Sequence, residues 1–138
     1  MNVARRILIV EDDLLNRLLL STVLESSGFQ VQAVTDGAHV LEKAEEFVPN
    51  LITMDIDLPD ISGLELIRRL QADPNLRQIP VLAVTAYVGK GEEARIRKAG
   101  ARDFLAKPIS IRPFLATVSR ILAGRVARDP FAGGRSEV

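Results

Sequence analysis

At 138 residues and 47% hydrophobic side chains, the chain suits a single domain with a real core. Its 18 Lys and Arg balance 18 Asp and Glu, which argues against nonspecific binding to nucleic acid or to acidic membranes. There is no cysteine for disulfide or thiolate chemistry, and the first apolar run, Ile7 to Val10, is too short for a signal-peptide core or a membrane span, so the expected location is the cytoplasm.

Two kinds of apolar segment alternate along the chain. Short runs rich in Val, Ile and Leu predict buried strands: "ILIV" (7–10), "VQAV" (31–34), "LITM" (51–54), "VLAV" (81–84) and "DFLA" (103–106). Longer stretches between them carry helical spacing. In the first, Leu15, Leu18, Leu19, Thr22 and Val23 fall on one face, which is expected to face the core, and Gly28 stops the helix. Asp36 is placed to cap "GAHVLEKAEEF", where His39 reads as a surface helix residue. Leu64, Ile67 and Leu70 mark the third helix, and Asp60 is expected to cap it near Ser62; Asp13 reads likewise as a cap or turn residue. The fourth helix, through "EEARIRKA", ends at Gly100 and offers Glu–Arg pairs at helical spacing. Phe114, Val118 and Ile121 mark the fifth, which Ser110 can cap, with Pro113 near its start. After Leu122 the pattern fades, so residues 1–124 read as the domain and 125–138 as a tail with little structure of its own.

Five strands alternating with five helices predict an α/β fold, a doubly wound parallel sheet with helices on both faces. In such a sheet, the loops leaving the carboxyl ends of the strands gather at one edge, where ligands bind. The first strand delivers Glu11, Asp12 and Asp13 to that edge, and the third delivers Asp55 and Asp57. The fourth delivers Thr85 and Ala86, and the fifth delivers Lys107 and Pro108. Crowded carboxylates raise each other's pKa unless a cation neutralises them, and a hard ion such as Mg²⁺ takes carboxylate and carbonyl oxygens while leaving room for a phosphate. Lys107 supplies a point charge and Thr85 a hydroxyl donor for a phosphoryl oxygen. A carboxylate can itself become an aspartyl phosphate. These parts fit phosphoryl transfer onto one aspartate.

The segments "ILIVEDDLLNR", "LITMDIDLPDISGLELIRRL", "PVLAVTAY" and "AGARDFLAKPI" resemble the receiver domain of bacterial response regulators over about residues 5–123. The motifs stand in the family's order and spacing, and the likeness within the family is to stand-alone members. The resemblance implies a flavodoxin-like, CheY-like sheet of strand order 2-1-3-4-5. It implies Asp55 as phosphoacceptor, Asp12 as a direct Mg²⁺ ligand, Glu11 acting mainly through water, and the backbone carbonyl of Asp57 as a further metal contact. Thr85 matches the switch hydroxyl, Lys107 the family's lysine, Lys107–Pro108 a cis peptide and Phe104 the switch aromatic. Pro59 and Gly63 shape the loop after the acceptor. Two positions depart from the commonest pattern: Asp57 is acidic, and Tyr87 is bulky where phosphoryl lifetime is tuned.

The implied phosphodonor is a histidine kinase or a histidine phosphotransfer protein. With no output module expected, the readout is a downstream protein on the surface of the fourth helix, fifth strand and fifth helix; no nucleic acid or membrane partner is expected, and the protein is expected to be a monomer or weak dimer. Three alternatives fit less well. "DIDL" is similar to the D-x-D motif of haloacid-dehalogenase-type phosphatases, but Leu58 follows the second Asp, the motif follows the third strand, and no cap is accommodated. A constitutive interaction module would not need Asp55 and Lys107 together. A flavodoxin-like cofactor binder would need a phosphate-cradling loop where this chain has the acidic "EDDLLN".

Overall fold

Strands and helices alternate as the apolar pattern predicts, in a computed structural model that describes residues 4–127. In chain order these are β1 (Arg6–Val10), α1 (Leu14–Ser26), β2 (Gln30–Val34), a 3₁₀ turn (Gly37–His39) and α2 (Val40–Phe47), then β3 (Leu51–Asp55) and α3 (Gly63–Ala72). The chain continues through β4 (Val81–Thr85), α4 (Glu92–Ala99), β5 (Asp103–Ala106) and α5 (Ile111–Ala127). Helix α5 thus continues past residue 124, and the tail expected beyond it lies, from 128 onward, outside the described residues. No helix among the described residues is long and apolar enough to cross a membrane.

The five strands are parallel, in the order β2-β1-β3-β4-β5. The central strands β3 and β4 are buried along their whole length, as covered parallel strands require. The edge strand β2 is mostly exposed, with only Val34 buried, and β5 is half-exposed. The chain reverses direction in strand order at β1, so the carboxyl ends of β1 and β3 open onto one crevice.

Each face of the sheet has its own core. Leu8, Val10, Ile52, Met54 and Ala83 pack against α2, α3 and α4 through Val40, Leu66, Ile67, Leu70 and Ile96. Ile7, Ile9, Leu51 and Leu82 pack on the other side against α1 and α5 through Leu20, Leu24, Phe114, Val118 and Ile121. Complete burial of side chains this size contributes about 1.5–3 kcal/mol each.

The apolar face of α1 differs from expectation. Leu15 and Leu18 are 75% and 53% exposed, and Leu19 and Thr22 are exposed too; of the expected face only Val23 packs against the core, half-buried, beside the buried Leu20 and Leu24. The helix carries two leucine stripes, and helical spacing alone does not choose between them. Arg17 shares the inner side with Leu20 and Leu24 at i, i+3 and i+7, and its guanidinium donates to the carbonyls of Glu11 and Asp12 at 3.2 Å each. Those bonds to the β1–α1 loop and the packing on α5 set the helix's rotation.

The caps follow residue chemistry. Asp13 accepts the Asn16 N–H at 2.9 Å, and Asp36 accepts the His39 N–H at 3.2 Å. His39 itself is exposed and pairs with Asp36 at 2.7 Å, which holds its imidazole pKa above the usual value. Gly28 (φ 96) turns the chain out of α1 and Gly100 (φ 123) out of α4. Helix α3 is capped by Ser62, whose Oγ accepts the Leu64 N–H at 3.1 Å, and not by Asp60. Asp60 stands two residues too early and accepts instead from Gly37 and Ala38 at the start of the 3₁₀ turn.

Candidate functional site

Five short connections meet at the carboxyl ends of the strands. Asp55 is the last residue of β3 and is 2% exposed. The register that pairs Asp55 with Val84, and the bond from Ile56 N–H to the Val84 carbonyl at 2.9 Å, bring the β3 exit beside the β4 exit. Gly63 is required here, because a Cβ at that position would collide with the Asp55 carbonyl and the Ile56 backbone. The Lys107 N–H donates to the Thr85 carbonyl at 2.8 Å, so β5 delivers its lysine to the same crevice. The Lys107–Pro108 peptide is cis.

Three of the expected acids converge. Glu11, Asp12 and Asp55 each offer a carboxylate oxygen, all within 4.8 Å of one another. Glu11 is 1% exposed, while Asp12 faces solvent. The Lys107 ammonium sits 3.3 Å from Asp55 Oδ2 and 3.4 Å from Glu11 Oε1. Burial pushes the Glu11 carboxyl up to about 7, with the neighbouring Asp55 charge adding to the rise against the Asp13 N–H and Lys107, which lower it. Burial acting alone would lower the Lys107 pKa, but Asp55 and Glu11 outweigh it and hold the ammonium above its usual value. Among the described residues, Lys107 is the cation that forms ion pairs within this trio of carboxylates, and it reaches two of the three. All the nearby side-chain ligand atoms are oxygens and one acid is open to water, so the donor set suits a hard divalent cation that keeps part of its hydration.

The remaining expected residues are at this edge or behind it. Asp57 is exposed; its N–H donates to Asp55 Oδ1 at 2.9 Å and holds that carboxylate from the loop side. Thr85 is fully buried and turned onto its own loop, donating to the Tyr87 carbonyl and accepting the Tyr87 N–H at 3.1 Å each. Phe104 is half-buried on β5 and packed against the α2–α3–α4 core. The Arg97 guanidinium of α4 lies 5.8 Å from the Phe104 ring centroid and 3.1 Å from Asp103, which also meets Arg120 of α5 at 3.1 Å.

Two contacts were not anticipated from sequence: the Asp57 carboxylate accepting the Ala86 N–H at 3.0 Å, and the Arg97 stack on Phe104. The first had a signal, an acid two residues after Asp55. The second had none, since helical spacing pairs Arg97 only with a glutamate of its own helix.

Comparison with known proteins agrees with this geometry. Residues 7–119 match the response regulator receiver domain. The chain is 43% identical over 118 residues to the polar-differentiation response regulator DivK of Brucella anthropi, which covers 86% of this chain and 96% of that protein. DivK of Brucella ovis is equally similar. Among solved structures, a CheY-like receiver domain protein from Methanospirillum hungatei superposes with a TM-score of 0.82 at 30% identity, covering 90% of this chain and 98% of its own. The receiver domain of the sensor histidine kinase PA1611 from Pseudomonas aeruginosa, with a magnesium ion coordinated in its active-site cleft, gives 0.77 at 32% identity, covering 91% of this chain and all of its own. A sheet of this order, an acid cluster facing one lysine at its carboxyl edge, and a family match across most of the length lead to one conclusion: the chain belongs to the response regulator receiver family.

Proposed function

We propose that this protein is a phosphorylation switch of the cytoplasm. It accepts a phosphoryl group on Asp55 from a histidine kinase or a histidine phosphotransfer protein and reports the change through its α4–β5–α5 surface. The observation that carries this is the setting of Asp55: a buried carboxylate, held by the Asp57 N–H at 2.9 Å and by Lys107 at 3.3 Å, in reach of two further acids. In the transfer, an Asp55 oxygen forms the new P–O bond as the donor's P–N bond breaks. The electron pair of that bond leaves with the imidazole nitrogen.

The residues present fit Mg²⁺. Asp12 and Asp55 would hold it directly, the Asp57 carbonyl would complete the protein contacts, and Glu11 would act mainly through water. Bound there, the ion supplies charge neutralisation for the phosphoryl oxygens. Lys107, already 3.3 Å from Asp55, would take up further charge on the same oxygens. The chain thereby promotes its own phosphorylation and dephosphorylation, with no separate substrate to turn over.

Two surfaces support the reading. Beside Asp12, Leu14, Leu15 and Leu18 are 56%, 75% and 53% exposed on the first turns of α1. An apolar surface next to the acceptor fits a protein donor better than a small solute. Behind the site, Thr85 would leave the Tyr87 backbone for the phosphoryl group and Phe104 would turn inward. That turn would break the Arg97 stack and alter the charges joining α4, β5 and α5.

The test is intact-mass analysis after addition of a small acyl-phosphate donor with Mg²⁺, with Asp55→Asn in parallel. Wild type is expected to gain one phosphoryl mass, and Asp55→Asn or chelated protein none. Equal labelling of Asp55→Asn would remove Asp55 from the role, and the absence of both labelling and metal binding in wild type would favour a constitutive interaction module.

A further inference from the structure

The loop after β4 is closed in two ways. Thr85 Oγ is engaged by both backbone groups of Tyr87, and the Ala86 N–H donates to Asp57 Oδ2 at 3.0 Å. Asp57 and Ala86 lie 29 residues apart in sequence, so this bond joins the β3–α3 loop to the β4–α4 loop. The same residue also reaches back, because the Asp57 N–H donates to Asp55 Oδ1 at 2.9 Å. Asp57 thus links the acceptor carboxylate to the first amide after Thr85 through two charge-assisted bonds, one on its backbone and one on its side chain.

A phosphoryl group on Asp55 brings three acceptor oxygens and nearly two negative charges to this spot. Lys107 is already shared between Asp55 and Glu11. The donors left at the adjoining strand end are the Thr85 hydroxyl and the Ala86 N–H, and the second is held by a carboxylate. That carboxylate also repels the incoming group. Building on the Asp55 reading above, we propose that the Asp57 side chain is a latch. It is an internal anion that occupies the Ala86 amide at rest, holds the β4–α4 loop in its resting position, and must be displaced before a phosphoryl oxygen can bond that amide.

Charge and bond can be separated. Asp57→Asn keeps a carbonyl oxygen able to accept the amide but removes the charge, and Asp57→Ala removes both, while neither alters the backbone carbonyl or N–H. In metal-free, unphosphorylated protein, hydrogen exchange of the Ala86 amide, followed by NMR, is expected to quicken about tenfold in Asp57→Ala and to change little in Asp57→Asn. With an acyl-phosphate donor and Mg²⁺, both variants are expected to label faster than wild type by intact mass, Asp57→Ala the most. Unchanged Ala86 exchange in Asp57→Ala would overturn the latch, as would labelling of Asp57→Ala no faster than that of a wild type that does label. If no form of the protein labels, the Asp55 reading fails by itself, and the amide exchange still decides whether Asp57 holds the loop.

Discussion

The two edges of the sheet treat charge in opposite ways. At the amino-terminal edge, the Arg6 guanidinium donates to the Phe47 carbonyl at 2.9 Å and to the Val48 carbonyl at 3.0 and 2.8 Å. It also lies 5.9 Å from the Phe47 ring centroid, and the Arg6 N–H donates to Asn50 Oδ1 at 2.7 Å. This cation is absorbed by the orphan carbonyls at the end of α2, where Val48 takes a left-handed φ of 52. At the carboxyl edge, Glu11, Asp12 and Asp55 converge on one another, and Lys107 pairs with Glu11 and Asp55. The first edge closes a turn, with its guanidinium bonded to neutral carbonyls. The second leaves a surplus of negative charge in a crevice, which folding alone does not require and which a cation relieves.

The sharpest way to break the comparison is to supply that cation. Mg²⁺ at one hundred times its dissociation constant is expected to stabilise the wild-type protein by about 2.7 kcal/mol, read from thermal unfolding. Asp12→Ala removes an exposed carboxylate proposed to hold the ion, so it is expected to leave the fold intact and to lose most of this response. A full response in Asp12→Ala would mean that the ion binds elsewhere. The amino-terminal edge should behave in the converse manner. Arg6→Ala leaves the Phe47 and Val48 carbonyls without their guanidinium donor and is expected to destabilise by about 2 kcal/mol. Denaturant titration reads that loss, and the Mg²⁺ response should persist at its wild-type size. If Arg6→Ala also blunted the Mg²⁺ response, the two edges would not be independent.

The difference between the edges explains what was legible beforehand. Covered parallel strands write long apolar runs into a sequence, and all five runs became strands, with bounds moved by no more than one residue. The acids were legible because they stand where those runs stop, and topology alone gathers strand ends into one crevice. The inner face of α1 was not legible: its leucines encircle much of the helix, and Arg17 reaching the Glu11 and Asp12 carbonyls belongs to tertiary structure. The partner of the Asp57 carboxylate was hidden for a similar reason. Its donor is a backbone amide on another strand's exit, and a backbone amide leaves no mark in a sequence.

Asp60 gives the smallest expected effect and the finest test, because it is an acid at the carboxyl edge whose charge is fully absorbed. Its oxygens accept the Gly37 N–H at 2.9 and 3.0 Å and the Ala38 N–H at 3.2 Å. Those bonds, led by Gly37, hold its carboxyl below the usual 3.8 against the opposing effect of desolvation. A carboxyl depressed by folding binds its proton more tightly in the unfolded chain. Its contribution to stability is therefore complete above the unfolded pKa and is lost as pH falls from there through the folded value. Asp60→Asn should be less stable than wild type near neutral pH, and the gap should narrow as pH drops below about 4. Chemical denaturation across that range measures it, and the Mg²⁺ response at neutral pH should be unaffected. A gap that stayed constant with pH would mean that shape alone, and not charge, joins Asp60 to the 3₁₀ turn. A lost Mg²⁺ response would move Asp60 from the closing group, with Arg6, to the ion-holding group, with Asp12.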